Sequence, residues 1–301
     1  MKILIIGSKG FIGHHVHNYF SQQFPNQVCG ADVIVDYTAT NYFLIDASNA
    51  DFQNIFRENQ FDFCINCSGA ASVSDSITNP SRDYHLNTHN VFKMLEAIRQ
   101  FNPSCKVITL SSAAVYGNPT SLPIDETFIS HPISPYGWHK LQSEMLCREF
   151  HEQFNIHTIC LRIFSVYGPG LKKQLFWDLH QKSKNSNKVK LWGTGEESRD
   201  FIYIKDFLEV VNLIIKNAEF KGQIINVANG EEVFIKDAVS LFYQNFNQKI
   251  EYEFAGNNRP GDPNNWLADI SVLKALGYKR KDTFADGLHE YYKWIQGIER
   301  E

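Results

Sequence analysis

The sequence predicts an α/β fold: a doubly wound parallel sheet followed by a smaller C-terminal lobe. Three observations predict it. Short β-rich runs alternate with longer helical patterns through the first half of the chain, as parallel strands joined by crossover helices require. Glycines recur at spacing three in Gly7-Ser8-Lys9-Gly10-Phe11-Ile12-Gly13, between the first strand and the first helix. Beyond about residue 168 the alternation gives way to helical patterns separated by short strands and turn-rich stretches.

In chain order, strands are predicted at Lys2–Ile6, Gln27–Asp32, Asp62–Cys67, Lys106–Ser111 and His157–Ile163. Helices are predicted between them at Phe11–Phe24, Ala50–Gln60, Pro80–Phe101 and Pro135–Phe154. Pro25 follows the first helix, and Pro80 and Pro135 suit first-turn positions, where no amide donor is needed. Val91, Leu95 and Ile98 recur at spacings of four and three and mark one apolar face. Further helices are predicted at Lys172–Lys184, Lys205–Ala218, Lys236–Phe246 and Thr283–Gln296. The polar clusters Lys182–Lys190 and Asn257–Asn265 read as surface loops or domain seams.

Composition excludes several classes. With 43% hydrophobic and 21% charged residues, the chain can bury a core and is not disordered. A net charge of −4 provides no field for nucleic acid or an anionic membrane. The longest apolar runs, such as Ile3-Leu4-Ile5-Ile6, fall far short of the roughly 20 residues of a spanning helix. Met1-Lys2 leads straight into that run, so no signal peptide with a cleavage site is expected. Six cysteines, none in the last 141 residues, are too sparse for a disulfide framework, so a reduced, cytoplasmic location is expected. Cys64 and Cys67 lie on a buried-strand pattern, where residues three apart face opposite ways. No second Cys pair accompanies them, and no metal is expected.

In the glycine loop, Gly7, Gly10 and Gly13 allow a tight turn, close approach to a pyrophosphate and close helix–strand packing. Phe11 and Ile12 open the helix, whose N-terminal amides and dipole favour an anion. Asp32 follows Gly13 by 19 residues, where a carboxylate binds the two ribose hydroxyls of an adenosine. That acid repels a 2′-phosphate and favours NAD over NADP, while Lys9 in the loop pulls the other way. Asp46 is a partner for the adenine amine or, equally, the N-cap of the helix near Ala50. His14, His15 and His17 read as a solvated helix surface.

Ser111-Ser112-Ala113-Ala114-Val115-Tyr116-Gly117 ends the fourth predicted strand, and Pro135-Tyr136-Gly137-Trp138-His139-Lys140 opens a helix. Tyr136 and Lys140, four apart, share a helix face. A neighbouring ammonium is expected to lower the phenol from about 10 towards neutrality. Ser112 can hydrogen-bond the same substrate oxygen. The set suits alcohol–ketone interconversion beside a hydride acceptor.

With these motifs in place, the chain resembles the extended short-chain dehydrogenase/reductase family, in particular its NAD-dependent nucleotide-sugar epimerases and dehydratases. The resemblance covers nearly the whole chain. It rests on Gly7–Gly13, Cys67-Ser68-Gly69-Ala70-Ala71, Asn87, Ser111–Gly117, the Tyr136/Lys140 pair and Gly168-Pro169-Gly170. Later matches are Arg199-Asp200-Phe201-Ile202-Tyr203 and Arg259-Pro260-Gly261-Asp262. It implies a seven-stranded Rossmann sheet of residues 1–168 plus about 200–228 that binds NAD. A substrate-binding lobe of about 169–199 and 229–301 is implied with it, the substrate lying between the two. By carry-over, Ser112, Tyr136 and Lys140 are catalytic, Tyr136 and Lys140 also bind cofactor, and Asn87 belongs to the proton network. Ala70 joins the cofactor residues. Arg199, Arg259, Ser165 and Asp262 belong to the substrate site, the arginines on the nucleotide diphosphate. A homodimer through helices near 84–100 and 136–154 is also implied.

Two departures narrow the chemistry. Dehydratases of the family usually carry an acid pair after the catalytic hydroxyl, whereas Ala113-Ala114 follow Ser112. The family often has asparagine before the Tyr-Gly-Pro turn, where this chain has Ser165. The expected activity is therefore a nucleotide-sugar 4-epimerase working through a transient 4-keto sugar. The alternatives are a 4-keto-6-deoxy nucleotide-sugar reductase using NADH or NADPH, less favoured a 4,6-dehydratase, and, from another class, a cofactor-binding regulator or scaffold without turnover. Base and sugar are left open.

Overall fold

The computed structural model describes residues 1–257, 261 and 263–300, with Asn185 described by its backbone alone. Arg259 and Asp262, two of the expected substrate residues, lie outside the described residues. The chain divides into two compact units. One comprises Met1–Gly117, Glu126–Ile163 and Ile214–Asn226; the other comprises Asn118–Asp125, Phe164–Leu213 and Val227–Glu301.

The first unit runs β1 (Ile3–Ile6), α1 (Phe11–Gln23), β2 (Val28–Asp32), β3 (Tyr42–Leu44), α2 (Gln53–Glu58), β4 (Phe63–Asn66), α3 (Val73–Thr78) and α4 (Pro80–Tyr84). A π-helical turn (His85–His89), α5 (Asn90–Phe101), β5 (Lys106–Ser112), α6 (Pro135–Phe154) and β6 (Thr158–Ile163) follow. The second unit carries β7 (Ser165–Tyr167), α7 (Gln174–Asn185), β8 (Lys188–Leu191), β9 (Ser198–Arg199) and β10 (Phe201–Tyr203). Next come α8 (Ile204–Asn217), whose end reaches the first unit, and β11 (Gln223–Val227), which returns to the first unit's sheet. The second unit closes with β12 (Val233–Phe234), α9 (Ile235–Tyr243), β13 (Glu251–Phe254), α10 (Ser271–Ala275) and α11 (Phe284–Ile298).

Seven strands form one sheet in the order β11-β6-β5-β4-β1-β2-β3, parallel from β6 through β3. The order reverses next to β1, and ligands of open α/β sheets bind at the carboxyl ends of the strands at such a point. β1, β4 and β6 are buried along their whole length, as strands covered on both faces must be. Val91, Met94, Leu95 and Ile98 from α5 pack with Leu4, Cys64, Val107 and Phe150 in one core cluster. Cys64 is fully buried with its Sγ 3.9 Å from Met94 Sδ, and burial pushes the Cys67 thiol up to about 12.

Two predicted helices are corrected and one unpredicted strand is added. The predicted helix Pro80–Phe101 is two α-helices joined by the π-helical turn, with Asn90 N–H donating to His85 O five residues back. The predicted helix Ala50–Gln60 is confined to Gln53–Glu58, so Asp46 is not its N-cap. β3, which pairs with β2 from Gly30↔Tyr42 to Asp32↔Leu44, was not anticipated. Three residues are too few to show a period.

In the second unit, aromatic rings form the core. Phe201 stacks on Phe284 at 4.9 Å, and Tyr167 packs edge-on against Phe176 and Phe284. The Asp200 carboxylate is fully buried and accepts from the Asn229, Gly230 and Ala268 amides, fastening three loops beside Arg199.

Candidate active site

The glycine loop leaves β1 with Gly7 at φ +79°, a conformation that side chains disfavour. A Cβ there would stand 2.7 Å from Ser68 N, and a Cβ at Gly13 would stand 2.0 Å from Gly7 O. Gly10 is the N-cap of α1, with no side-chain capping bond and no acid in the first turn. The first amides of a 13-residue helix are thus left for an anionic ligand. The buried Ser8 hydroxyl, without a partner among the described residues, lies under the same loop beside Gly30. Phe11 and Ile12 are half-buried in the first turn.

Asp32 ends β2 half-buried, its Oδ2 accepting from Lys9 N at 2.8 Å and its Oδ1 from Val33 N at 2.7 Å. Each oxygen keeps a lone pair for a ribose hydroxyl. Asp32→Ala is expected to narrow the preference for NAD over NADP, since the ribose bonds and the repulsion of a 2′-phosphate disappear together. Fluorescence titration with both dinucleotides tests this, and an unchanged affinity ratio would assign the choice elsewhere. Asp46 sits on an exposed turn, where its Oδ1 accepts from Ser48 N, Ser48 Oγ and Asn49 N. Those bonds hold its carboxyl below the usual carboxylate range, Ser48 contributing most. Of the three histidines on α1, His14 is exposed and bonds Asn18, while burial lowers His17.

Ser134 caps α6 by accepting from Gly137 N at 3.2 Å, Pro135 takes the first helical position, and Tyr136 N donates to Ser76 Oγ at 3.1 Å. This start aims Tyr136 and Lys140 at the end of β5, where Ser112 is hydrogen-bonded to the Tyr136 phenol. Lys140 is buried, with its Nζ donating to Leu110 O at 2.9 Å and lying 5.9 Å from the Tyr136 ring centroid. Asn87, on the π-helical turn, is buried, and neither atom of its amide has a partner among the described residues. A Cβ at Gly69 would meet Asn87 Oδ1 at 2.4 Å and Lys140 Nζ at 3.4 Å, so the three converge. Ala70 follows, half-buried.

The lowered phenol expected from the Tyr136/Lys140 spacing is not found. Burial pushes Tyr136 up to about 12 against the Ser112 bond, and pushes Lys140 down to about 8. Sharing a helix face brings two groups together, but desolvation opposes the charged form of each and is the largest influence on both.

Sequence reasoning missed a second pair. Asp83, buried on α4, meets His139 Nδ1 at 2.6 Å, one residue before Lys140. The Asp83 charge helps keep Lys140 protonated and disfavours the Tyr136 phenolate. Positions 56 apart offer no local pattern that would have shown it.

The other expected residues belong to the second unit. Arg199 is half-buried at the end of β9, its Nη1 donating to the Ser198 and Asn264 carbonyls at 2.7 and 3.1 Å and its guanidinium 5.4 Å over Trp266. Ser165 opens β7, and its N–H donates to Asp200 O at 3.0 Å. Among the described residues, no three His, Cys, Asp or Glu side chains converge to hold a metal ion. Nor is any helix there long and apolar enough to cross a membrane.

Uncapped helix amides, a glycine cradle that a Cβ would fill, an acid after β2 and the unpartnered Asn87 amide fit a nicotinamide dinucleotide. Comparison with known proteins agrees. A Bacillus subtilis protein named as an uncharacterized UDP-glucose epimerase, YtcB, is 28% identical over 320 residues, covering 99% of both chains. The UDP-N-acetylglucosamine 4-epimerase of Methanobrevibacter ruminantium, solved with UDP-N-acetylmuramic acid, is 28% identical with a TM-score of 0.88, covering 99% of this chain and 98% of that one. The UDP-glucuronic acid 4-epimerase of Bacillus cereus, solved with UDP-glucuronic acid and NAD, is 26% identical with a TM-score of 0.90, covering 99% and 100%. Residues 3–228 match the family described as NAD dependent epimerase/dehydratase. The chain belongs to that family, as an enzyme whose cofactor is NAD.

Proposed function

We propose that this enzyme is a UDP-sugar 4-epimerase. The observation that carries the reading is the convergence of Ser112, Tyr136, Lys140 and Asn87, with Ala113-Ala114 where a dehydratase needs an acid. The two epimerases described above support uridine as the base, both being UDP-sugar enzymes.

When bound, NAD supplies the hydride acceptor and then the hydride donor at the sugar's C4, and in its oxidised form a positive ring charge that favours the phenolate. The chain's residues manage the proton. Tyr136 takes it from the C4 hydroxyl as that carbon becomes a ketone, and returns it when the alcohol re-forms on the other face. Ser112 hydrogen-bonds the same oxygen. Lys140, with Asn87 beside it, holds a positive charge near the phenol. Ala113 and Ala114 are buried and have no proton to give a departing 6-hydroxyl, so the cycle returns to an alcohol. Arg199, steadied by two carbonyls and Trp266, presents its guanidinium for the diphosphate, and Ser165, Arg259 and Asp262 complete the substrate set. The reading includes a cytoplasmic homodimer. Six unpaired cysteines suit a reducing compartment, and Tyr84, Phe92, Trp138, Met145 and Phe154 are exposed on or beside the helices expected to pair.

NAD at or below enzyme concentration is expected to support many turnovers of a UDP-hexose to its C4 epimer, with no NADH accumulating. Product analysis beside the NADH absorbance band, with UDP-, GDP-, dTDP- and CDP-sugars, tests this. Stoichiometric loss of NADH or NADPH with a 4-keto-6-deoxy sugar, and no epimer from any hexose, would make the enzyme a reductase instead.

A further inference from the structure

Lys9 lies between Gly7 and Gly10, in the loop that a dinucleotide approaches. A free ammonium there would be a good partner for the 2′-phosphate of NADP, and Lys9 is the one basic residue of Gly7–Gly13. Its ammonium is engaged. Nζ is ion-paired with Asp36 and lies 5.1 Å over the Tyr42 ring of β3.

Asp36 is held for this contact. Its Oδ1 accepts from Thr38 N at 2.9 Å, Thr38 Oγ1 at 2.7 Å and Ala39 N at 3.2 Å, leaving Oδ2 for Lys9. Lys9 is tied twice, since its backbone N–H also donates to Asp32 Oδ2. The charges of Asp32 and Asp36 both act on the Tyr42 phenol, so the acids, the lysine and the ring form one cluster beyond β2. Its net charge is negative, with Lys9 cancelled by Asp36 and Asp32 left over. The Lys9 and Asp36 side chains are 31% and 18% exposed, open enough for a cofactor phosphate to compete for the ammonium.

We infer that Asp36 is a specificity-determining residue that withholds Lys9 from a 2′-phosphate and so enforces the choice of NAD. The inference rests on the dinucleotide reading of the loop and adds a residue that spacing does not reveal.

Calorimetric titration of NAD and NADP into the wild type, Asp36→Asn, Lys9→Gln and the double variant tests it. Asparagine keeps the Oδ1 acceptor for Thr38 and Ala39, so the turn persists while the charge goes. Asp36→Asn is expected to raise NADP affinity relative to NAD about tenfold, the scale of one charge-assisted hydrogen bond. The gain should shrink with added salt, as for a partly exposed charge. Adding Lys9→Gln is expected to abolish it. An unchanged ratio in Asp36→Asn, or a gain that survives in the double variant, overturns the role of the pair while leaving the dinucleotide site standing. A wild type that binds neither dinucleotide overturns the reading of the loop itself.

Discussion

Tyr136→Phe is expected to lower kcat by roughly 10²- to 10⁴-fold, the usual contribution of a positioned acid–base group. NAD affinity should barely change, because the substitution removes one oxygen and leaves the half-buried ring and the Tyr136 N–H bond to Ser76 in place. The size of the effect follows from geometry. Ser112 bonds the phenol and accepts from Ala114 N, and Lys140 Nζ is turned to the Leu110 carbonyl. Single-turnover measurement with a UDP-hexose, beside NAD titration, separates the two parts. Near-normal turnover in a variant that still binds NAD would falsify the assignment of Tyr136 as the proton shuttle.

Arg162→Met is expected to destabilise the protein by about 3–5 kcal/mol, lowering the melting temperature by on the order of 10 °C. Arg162 and Glu144 form a bidentate pair at 3.0 and 2.7 Å, with side chains 4% and 3% exposed. The guanidinium also lies 4.5 Å over Tyr116 and donates to Ser130 Oγ at 3.2 Å. Glu144 accepts a further bond from Ser111 Oγ. Methionine fills much of the volume but leaves the Glu144 carboxylate buried beside apolar atoms. The double variant Arg162→Met/Glu144→Gln should recover most of the loss, since no uncompensated charge remains. Differential scanning fluorimetry of the single and double variants reads both effects. A single variant that melts with the wild type would show that water reaches this pair. Because Ser111 precedes Ser112, and Glu144 lies one turn beyond Lys140, the pair also ties β5 to α6 beside the residues proposed as catalytic.

Local grammar made much of this legible in advance. Ser134-Pro135 marks the start of α6, which runs over the predicted residues Pro135–Phe154. The glycine spacing marks the turn from β1 into α1 because steric demands act between near neighbours. What escaped depends on residues far apart in sequence. Asp83 reaches His139, and Lys9 is paired with Asp36 across an intervening helix and strand. The raised Tyr136 phenol depends on how much protein covers it, which no spacing records. β3 was missed because its three residues are specified by pairing with β2 and not by a pattern of their own.

The π-helical turn between α4 and α5 lets one helical rod face two ways. A turn that closes five residues back has one more residue than the α-helical turn it replaces. The segments on either side therefore keep separate phases: one orients Asp83 towards α6, the other sends Val91, Met94, Leu95 and Ile98 into the core. Asn87 sits on the joint. Without the extra residue within His85–His89, an α-helical turn would rotate one of these faces away from its partner. The joint sets a fixed angle between two faces of one rod, so the same helix serves the proposed site at one end and the core at the other.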